Sequence, residues 1–126
     1  MTLAQLLGVL VLLGAVAIPG ASIAQDATGL WLRDTGRSQV RISPCGDALC
    51  GSISWLKESS DVAKVGQRVF YDMKSQGGGT WKGSAFNPED GKTYSGTMKL
   101  SGDTLTTAGC VLGGLICKSA QWTRVR

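Results

Sequence analysis

Near the carboxyl end, Cys110-Val111-Leu112-Gly113-Gly114-Leu115-Ile116-Cys117 is nearly symmetric about a glycine pair. Such a pair accepts the positive φ that a tight hairpin turn demands. The segment therefore predicts a hairpin with Cys110 facing Cys117 and Val111 facing Ile116. Carried outward, the same register sets Leu105 against Trp122, and it also puts Lys118 on the apolar face unless a bulge intervenes. Folding the preceding pair of segments about Gly102-Asp103 sets Leu100 against Leu105 and Tyr94 against Val111. Both pairings turn the same side of residues 104–112 inward. Because a one-residue slip moves every side chain to the opposite face, this agreement ties the carboxyl-terminal third to a three-stranded antiparallel sheet.

The rest of the chain after residue 25 has the same texture. Strand-like segments cover residues 29–34, 38–44, 50–57, 67–73, 80–86, 92–100, 104–112 and 115–125, each ended by a turn signal. No helical stripe of any length interrupts them. The 18 glycines, nearly all in this part, would weaken helices and are acceptable in turns and bulges. The expected fold is all-β: a small antiparallel meander of about eight strands, closed as a barrel, with a β-sandwich as the alternative. Residues 77–79, three glycines, read as a flexible link.

The first hairpin places residues 38–44 on residues 50–57. Folding about Asp47-Ala48 opposes Ile42 to Ile53, Val40 to Trp55, Arg41 to Ser54 and Cys45 to Cys50, with a four-residue loop, 46–49. The expected bridges are thus Cys45–Cys50 and Cys110–Cys117, each pinning a hairpin, although four cysteines allow three connectivities. Zinc is a poor alternative. The Cys-x4-Cys and Cys-x6-Cys spacings are not those of zinc knuckles, and the chain has no histidine to supplement them.

An even number of cysteines in a short chain fits an oxidising compartment, and the amino terminus agrees. Residues 6–18 are all apolar or glycine, Pro19-Gly20 breaks the run, and Ser22 and Ala24 place small residues before a cut. This is the layout of a secretory signal over residues 1–24, although its first residues carry no Lys or Arg. The run is too short for the roughly 20 residues that cross a bilayer, so no stable membrane span is expected after cleavage. No cysteine follows Ala24 directly to take a lipid. Residues 25–126 form one domain, expected in the periplasm or secreted. The net charge of +4 comes from bases scattered singly rather than clustered among aromatics, which argues against nucleic acid as a partner.

Several pieces together resemble a known bacterial family. They are Gly29-Leu30-Trp31, the run from Val40 through Cys45-Gly46-Asp47-Ala48-Leu49-Cys50-Gly51 to Trp55-Leu56, Asn87-Pro88-Glu89-Asp90-Gly91-Lys92-Thr93-Tyr94-Ser95-Gly96, Gly109-Cys110, Cys117 and Gln121-Trp122-Thr123-Arg124-Val125. The family is domain of unknown function 2147, small exported proteins with a barrel-like fold. The resemblance covers most of residues 25–126 and implies location and fold without an activity. A second likeness is to lipocalin-type barrels, in which a Gly-x-Trp opens the first strand and a base near the last strand covers the indole. Trp31 and Arg124 would take those barrel-closing parts.

Chemistry is hard to place. Without histidine there is no ordinary proton shuttle near neutral pH, and Ser-His-Asp or Cys-His arrangements are excluded. Glu89-Asp90, the only adjacent acidic pair, sits in a Pro-Glu-Asp-Gly turn signal rather than across a substrate. No enzyme, cofactor or metal site is expected. Register puts Trp55, Tyr94 and Trp122 on the inner face, and Trp81 joins them if Tyr94 opposes Ala85. These side chains can simply fill a small barrel, or they can line a cavity. The leading expectation is a binding module in which Trp55, Trp81, Tyr94 and Met98 face a small hydrophobic or amphipathic ligand. The alternative is a structural or protein-interaction domain of the cell envelope, using a strand edge or residues 58–79. Gly83, Gly96 and Gly109 on the inner face leave room or mark bends.

Overall fold

The computed structural model describes residues 26–126; the expected signal, residues 1–24, lies outside them. Eight strands follow one another around a closed ring: β1 (Gly29–Arg33), β2 (Ser38–Cys45), β3 (Ala48–Leu56), β4 (Arg68–Gly77), β5 (Thr80–Asn87), β6 (Lys92–Ser101), β7 (Thr104–Val111) and β8 (Ile116–Arg124). Every neighbour is antiparallel, and β1 pairs with β8 through Trp31↔Arg124, Leu32↔Thr123 and Arg33↔Trp122. The meander is therefore a barrel and not a sandwich. Both ends of the described chain and the β2–β3, β4–β5 and β6–β7 turns lie at one end, the base. The other four connections surround the opposite end, the mouth.

The carboxyl-terminal registers are those expected: Leu100↔Leu105, Leu105↔Trp122, Cys110↔Cys117 and Val111↔Ile116, with Ala85↔Tyr94 beside them. No bulge rescues Lys118, which pairs with Gly109. It needs none, because the inner face at its height already opens to water. Along β6, half-buried Tyr94 and buried Gly96, Met98 and Leu100 alternate with more exposed residues, the period-two signature of a strand with one face on a core.

The first hairpin differs. Its loop is the two-residue Gly46-Asp47, so Cys45 pairs with Ala48, Ile42 with Gly51 and Val40 with Ile53. Gly46 takes φ 69°, a conformation that suits the first position of a tight hairpin turn. Pro44 faces Leu49, one place beyond the pair that closes the turn, where its missing N–H costs no ladder bond. Opposing the two cysteines thus misplaced the register by two residues. The bridge instead joins them diagonally, with Cα atoms 5.7 Å apart. A bulge beside Gln39 and Val40 then gives β3 one extra residue, so that Gln39 faces Trp55 while Val40 faces Ile53. Beyond it the alternation changes phase. Trp55 points outward at 40% exposure, and Leu56 turns to the lumen instead.

Gly77, Gly78 and Gly79 all have positive φ and make the tight β4–β5 turn rather than a loose link. Gly83 is a point of close approach. A Cβ there would sit 2.4 Å from the Tyr71 carbonyl oxygen and 2.5 Å from that of Asp72, where β4 bulges. Gly96 is similarly confined by the backbone of Ser84 and Ala85. These two glycines let the sheet curl.

The Cys45–Cys50 and Cys110–Cys117 bridges are both present. Each closes a short loop, for which chain entropy gives about 2 to 2.5 kcal/mol. Urea unfolding of C45S/C50S and of C110S/C117S should each show a loss of that size, and the quadruple variant should lose about twice as much.

Candidate functional site

The base is sealed by residues from both ends of the described chain. Trp31 is fully buried and donates its indole N–H to the Ala27 carbonyl, 2.9 Å away. The Arg124 guanidinium lies 4.5 Å from the centre of the Trp31 ring. It also donates to the carbonyls of Thr28 (3.0 Å) and Asp26 (2.8 Å), which ties residues 26–28 across the opening. Asp26 accepts from the backbone N–H and hydroxyl of Thr28, and these bonds hold its carboxyl below the usual carboxylate range. Above this seal, Ile42, Met73, Met98 and Leu105 are almost wholly shut off from solvent.

Packing then stops. Trp122 donates to the Thr107 hydroxyl at 3.0 Å and meets Phe70 edge-on at 6.2 Å, and these two rings form a floor. Above them is a cavity of about 650 Å³ that opens at the mouth. Ala85, Gly109 and Ala120 keep its walls thin, while Val40, Ile53 and Val69 keep them apolar. Charge enters higher up. Arg33 stands 5.5 Å over Trp122, with its Nε enclosed and lacking a hydrogen-bond acceptor, 3.3 Å from the Asp34 carboxylate. Arg37 is paired with Glu58 at 2.8 Å, and Lys118 and Glu89 complete the rim. Tyr94 donates to Asp90 there. That bond raises the phenol above the ordinary tyrosine value and lowers the Asp90 carboxyl.

Of the four side chains expected to line a ligand, only Tyr94 reaches this cavity. Trp55 is outside because of the bulge in β3. Met98 is buried in the packed layer below the floor. Trp81 is also buried, but it faces the base, beside a shallow pocket with Asp26, Met73 and Ser75. Gly109, expected on the inner face, does line the cavity, whereas Phe70, Arg33, Ala85 and Ala120 join it without having been among the expected ligand-facing residues. Strand parity marked Ala85, Gly109 and Ala120 as inward, and their size was the available signal. At the base, Cys45, Cys50 and Asp72 come together within 4.8 Å, but the two sulfurs are bonded to each other and cannot ligate a metal as thiolates.

A closed eight-stranded meander, sealed at one end by Trp and Arg and open at the other, is a lipocalin-like barrel. The chain belongs to the family described as an uncharacterized protein conserved in bacteria (DUF2147), whose model matches residues 29–124. Its fold is similar to that of HP1028 from the human pathogen Helicobacter pylori, a protein described as belonging to the lipocalin family. The TM-score is 0.70 at 18% identity, over 82% of this chain and 85% of that one. At that identity the likeness is one of fold alone. No curated protein matches this chain.

Two measurements check this geometry. Replacing Arg124 by Ala removes a cation–π contact and charged hydrogen bonds to two carbonyls, and should lower unfolding stability by about 2 to 4 kcal/mol. R124K should fall between, since an ammonium cannot reproduce the flat fork. The second is pH. Asp90 contributes stability above its ordinary value of 3.8, lost as pH falls through its lowered one; Tyr94 contributes below 10.0, lost as pH rises through its raised one. In a Y71F background, absorbance titration should place the Tyr94 midpoint above 10.0, and D90N should return it to the ordinary value.

Proposed function

We propose that this chain is a non-enzymatic, extracytoplasmic binding protein that holds one small hydrophobic or amphipathic molecule in the upper half of its barrel. The observation that carries this reading is the cavity of about 650 Å³ over the Trp122–Phe70 floor. Its size falls within the range of small-molecule sites, roughly 300 to 1,000 Å³, and its lining divides between apolar residues such as Val40, Ile53, Val69 and Phe70 and polar ones such as Arg33, Tyr94 and Lys118. An amphipathic ligand fits its gradient, with an apolar body over Trp122 and Phe70 and a polar head among Arg33, Tyr94 and Lys118. Two disulfides and membership of a bacterial family support a location outside the cytoplasm. A chain without histidine, with its cysteines joined in pairs, supports binding over catalysis.

Native mass spectrometry of protein isolated from the periplasm should show a bound mass. Titration with fatty acids should change tryptophan fluorescence with a single site, because Trp122 is the floor. Ala85→Trp fills the lumen from β5 and should weaken binding at least tenfold, about 1.4 kcal/mol, while leaving the fold intact by circular dichroism. No bound mass, together with flat fluorescence across acyl, isoprenoid and aromatic compounds, overturns the reading.

A further inference from the structure

Strand β1 is short. It stops pairing with β8 at Arg33↔Trp122, and the last bond along that edge runs from the Asp34 N–H to the Gln121 carbonyl. Residues 116–120 therefore continue with β7 as their sole ladder partner among the described residues. At about 3.3 Å per residue, the β7–β8 hairpin runs roughly 16 Å along its strands past the last pairing with β1. Its tip is stapled by Cys110–Cys117 and carries four aliphatic side chains in the open: Val111 at 38% exposure, Leu112 at 68%, Leu115 at 84% and Ile116 at 57%. No charged side chain occurs from Gly109 to Cys117. The β3–β4 loop, four strands away around the ring and so on the far side of the mouth, exposes Val62 and Val65. That loop is held in shape. The Ser60 hydroxyl accepts from the N–H groups of Val62 and Ala63, and the Gly66 N–H donates to the Ile53 carbonyl.

We propose that the β7–β8 tip is a membrane-docking prong that seats the mouth of the barrel on an anionic lipid surface. A protein partner suits it poorly. Stable protein interfaces take about 800 Å² from each side and are anchored by Tyr, Trp or Arg, whereas this is a narrow knob of Val, Leu and Ile. A bilayer asks only for aliphatic side chains at the acyl boundary and bases among the headgroups. Lys118 lies directly below the knob and Lys64 beside the two valines, on a chain of net charge +4. The free edge of β8 sets the depth. Its unpaired backbone groups have to stay among water and headgroups, so the tip enters while the ladder below does not. With the second contact across the ring, the cavity mouth faces the lipid. The inference stands apart from the ligand reading, since docking needs no occupied cavity.

The test uses the mature protein with both bridges intact and extruded vesicles of phosphatidylglycerol and phosphatidylethanolamine. Co-sedimentation should carry the protein down, less so with phosphatidylcholine alone and less as salt is raised. Leu115→Asp and Ile116→Asp, at exposed positions, should each reduce partitioning at least tenfold with unchanged circular dichroism. Val65→Asp should reduce it by a smaller factor, and Ala85→Trp, which blocks only the cavity, should leave it unaltered. Protein remaining in the supernatant, or L115D sedimenting like the parent, overturns the proposal. So does a dimer in light scattering that L115D dissolves in the absence of lipid affinity, which would make a second copy the occupant.

Discussion

The contact between Arg124 and Trp31 does more than fill the base. A meander closes only if its first and last strands meet, and β1 offers β8 a short ladder. The guanidinium lies on the indole from one side of that seam and takes the carbonyls of Asp26 and Thr28 from the other. Sheet closure, the entry of the chain and the burial of the largest side chain thus share one group. Arginine suits the place because a planar fork can stack on a ring and donate at its edge together, which an ammonium cannot. Asp103, 3.5 Å from the same guanidinium, comes from the β6–β7 turn, so the seam is also tied to the neighbouring hairpin. With the base fixed in this way, the mouth is left free of any part in closure.

Much of this arrangement was legible in the chain. The glycine pair at 113–114 fixes a hairpin from either side, and because β7 belongs to two hairpins an error in one would have contradicted the other. No such check exists for the first hairpin. Two cysteines five residues apart can be bridged directly or diagonally, and their spacing alone does not choose between the two. The Gly46-Asp47 turn and the position of Pro44 decide for the diagonal. The extra residue in β3 has no sequence signature. It is a consequence of the ring, where β2 and β3 need unequal lengths to curve together, and it moves Trp55 from the lumen to the surface.

The site was less legible than the fold, for a geometric reason. Alternation tells which side of a strand a residue faces and says nothing of its height between base and mouth. Trp81, Met98 and Tyr94 all lie on the inner face, as parity requires. Trp81 and Met98 fall in the packed half and Tyr94 in the open half. Height follows from the stagger of the whole ring, which depends on every bulge and turn together. Arg33 carries no lumen signal in the sequence, because a base inside a barrel contradicts the usual alternation of apolar-in and polar-out.

The inner-face glycines separate two uses of the same residue. At Gly83 a side chain would collide with fixed backbone carbonyls, so curvature alone accounts for it. At Gly109 the nearest obstacle to a Cβ is the Tyr94 side chain, 3.2 Å away, and the space beyond is the lumen. Ala85 and Ala120 line the same space. A barrel selected only for stability would put larger apolar groups there, since each added methylene buried is worth about 0.8 kcal/mol. The lower half of the molecule does this with Met73, Met98, Ile42 and Leu105. A core that gives up half its filling needs support from elsewhere, and the two bridged hairpins supply covalent constraint of the kind small exported domains use. The contrast between a filled base and a hollow mouth, in one ring of continuous strands, is what a folding requirement alone does not explain, and it is the feature on which the proposed binding role rests.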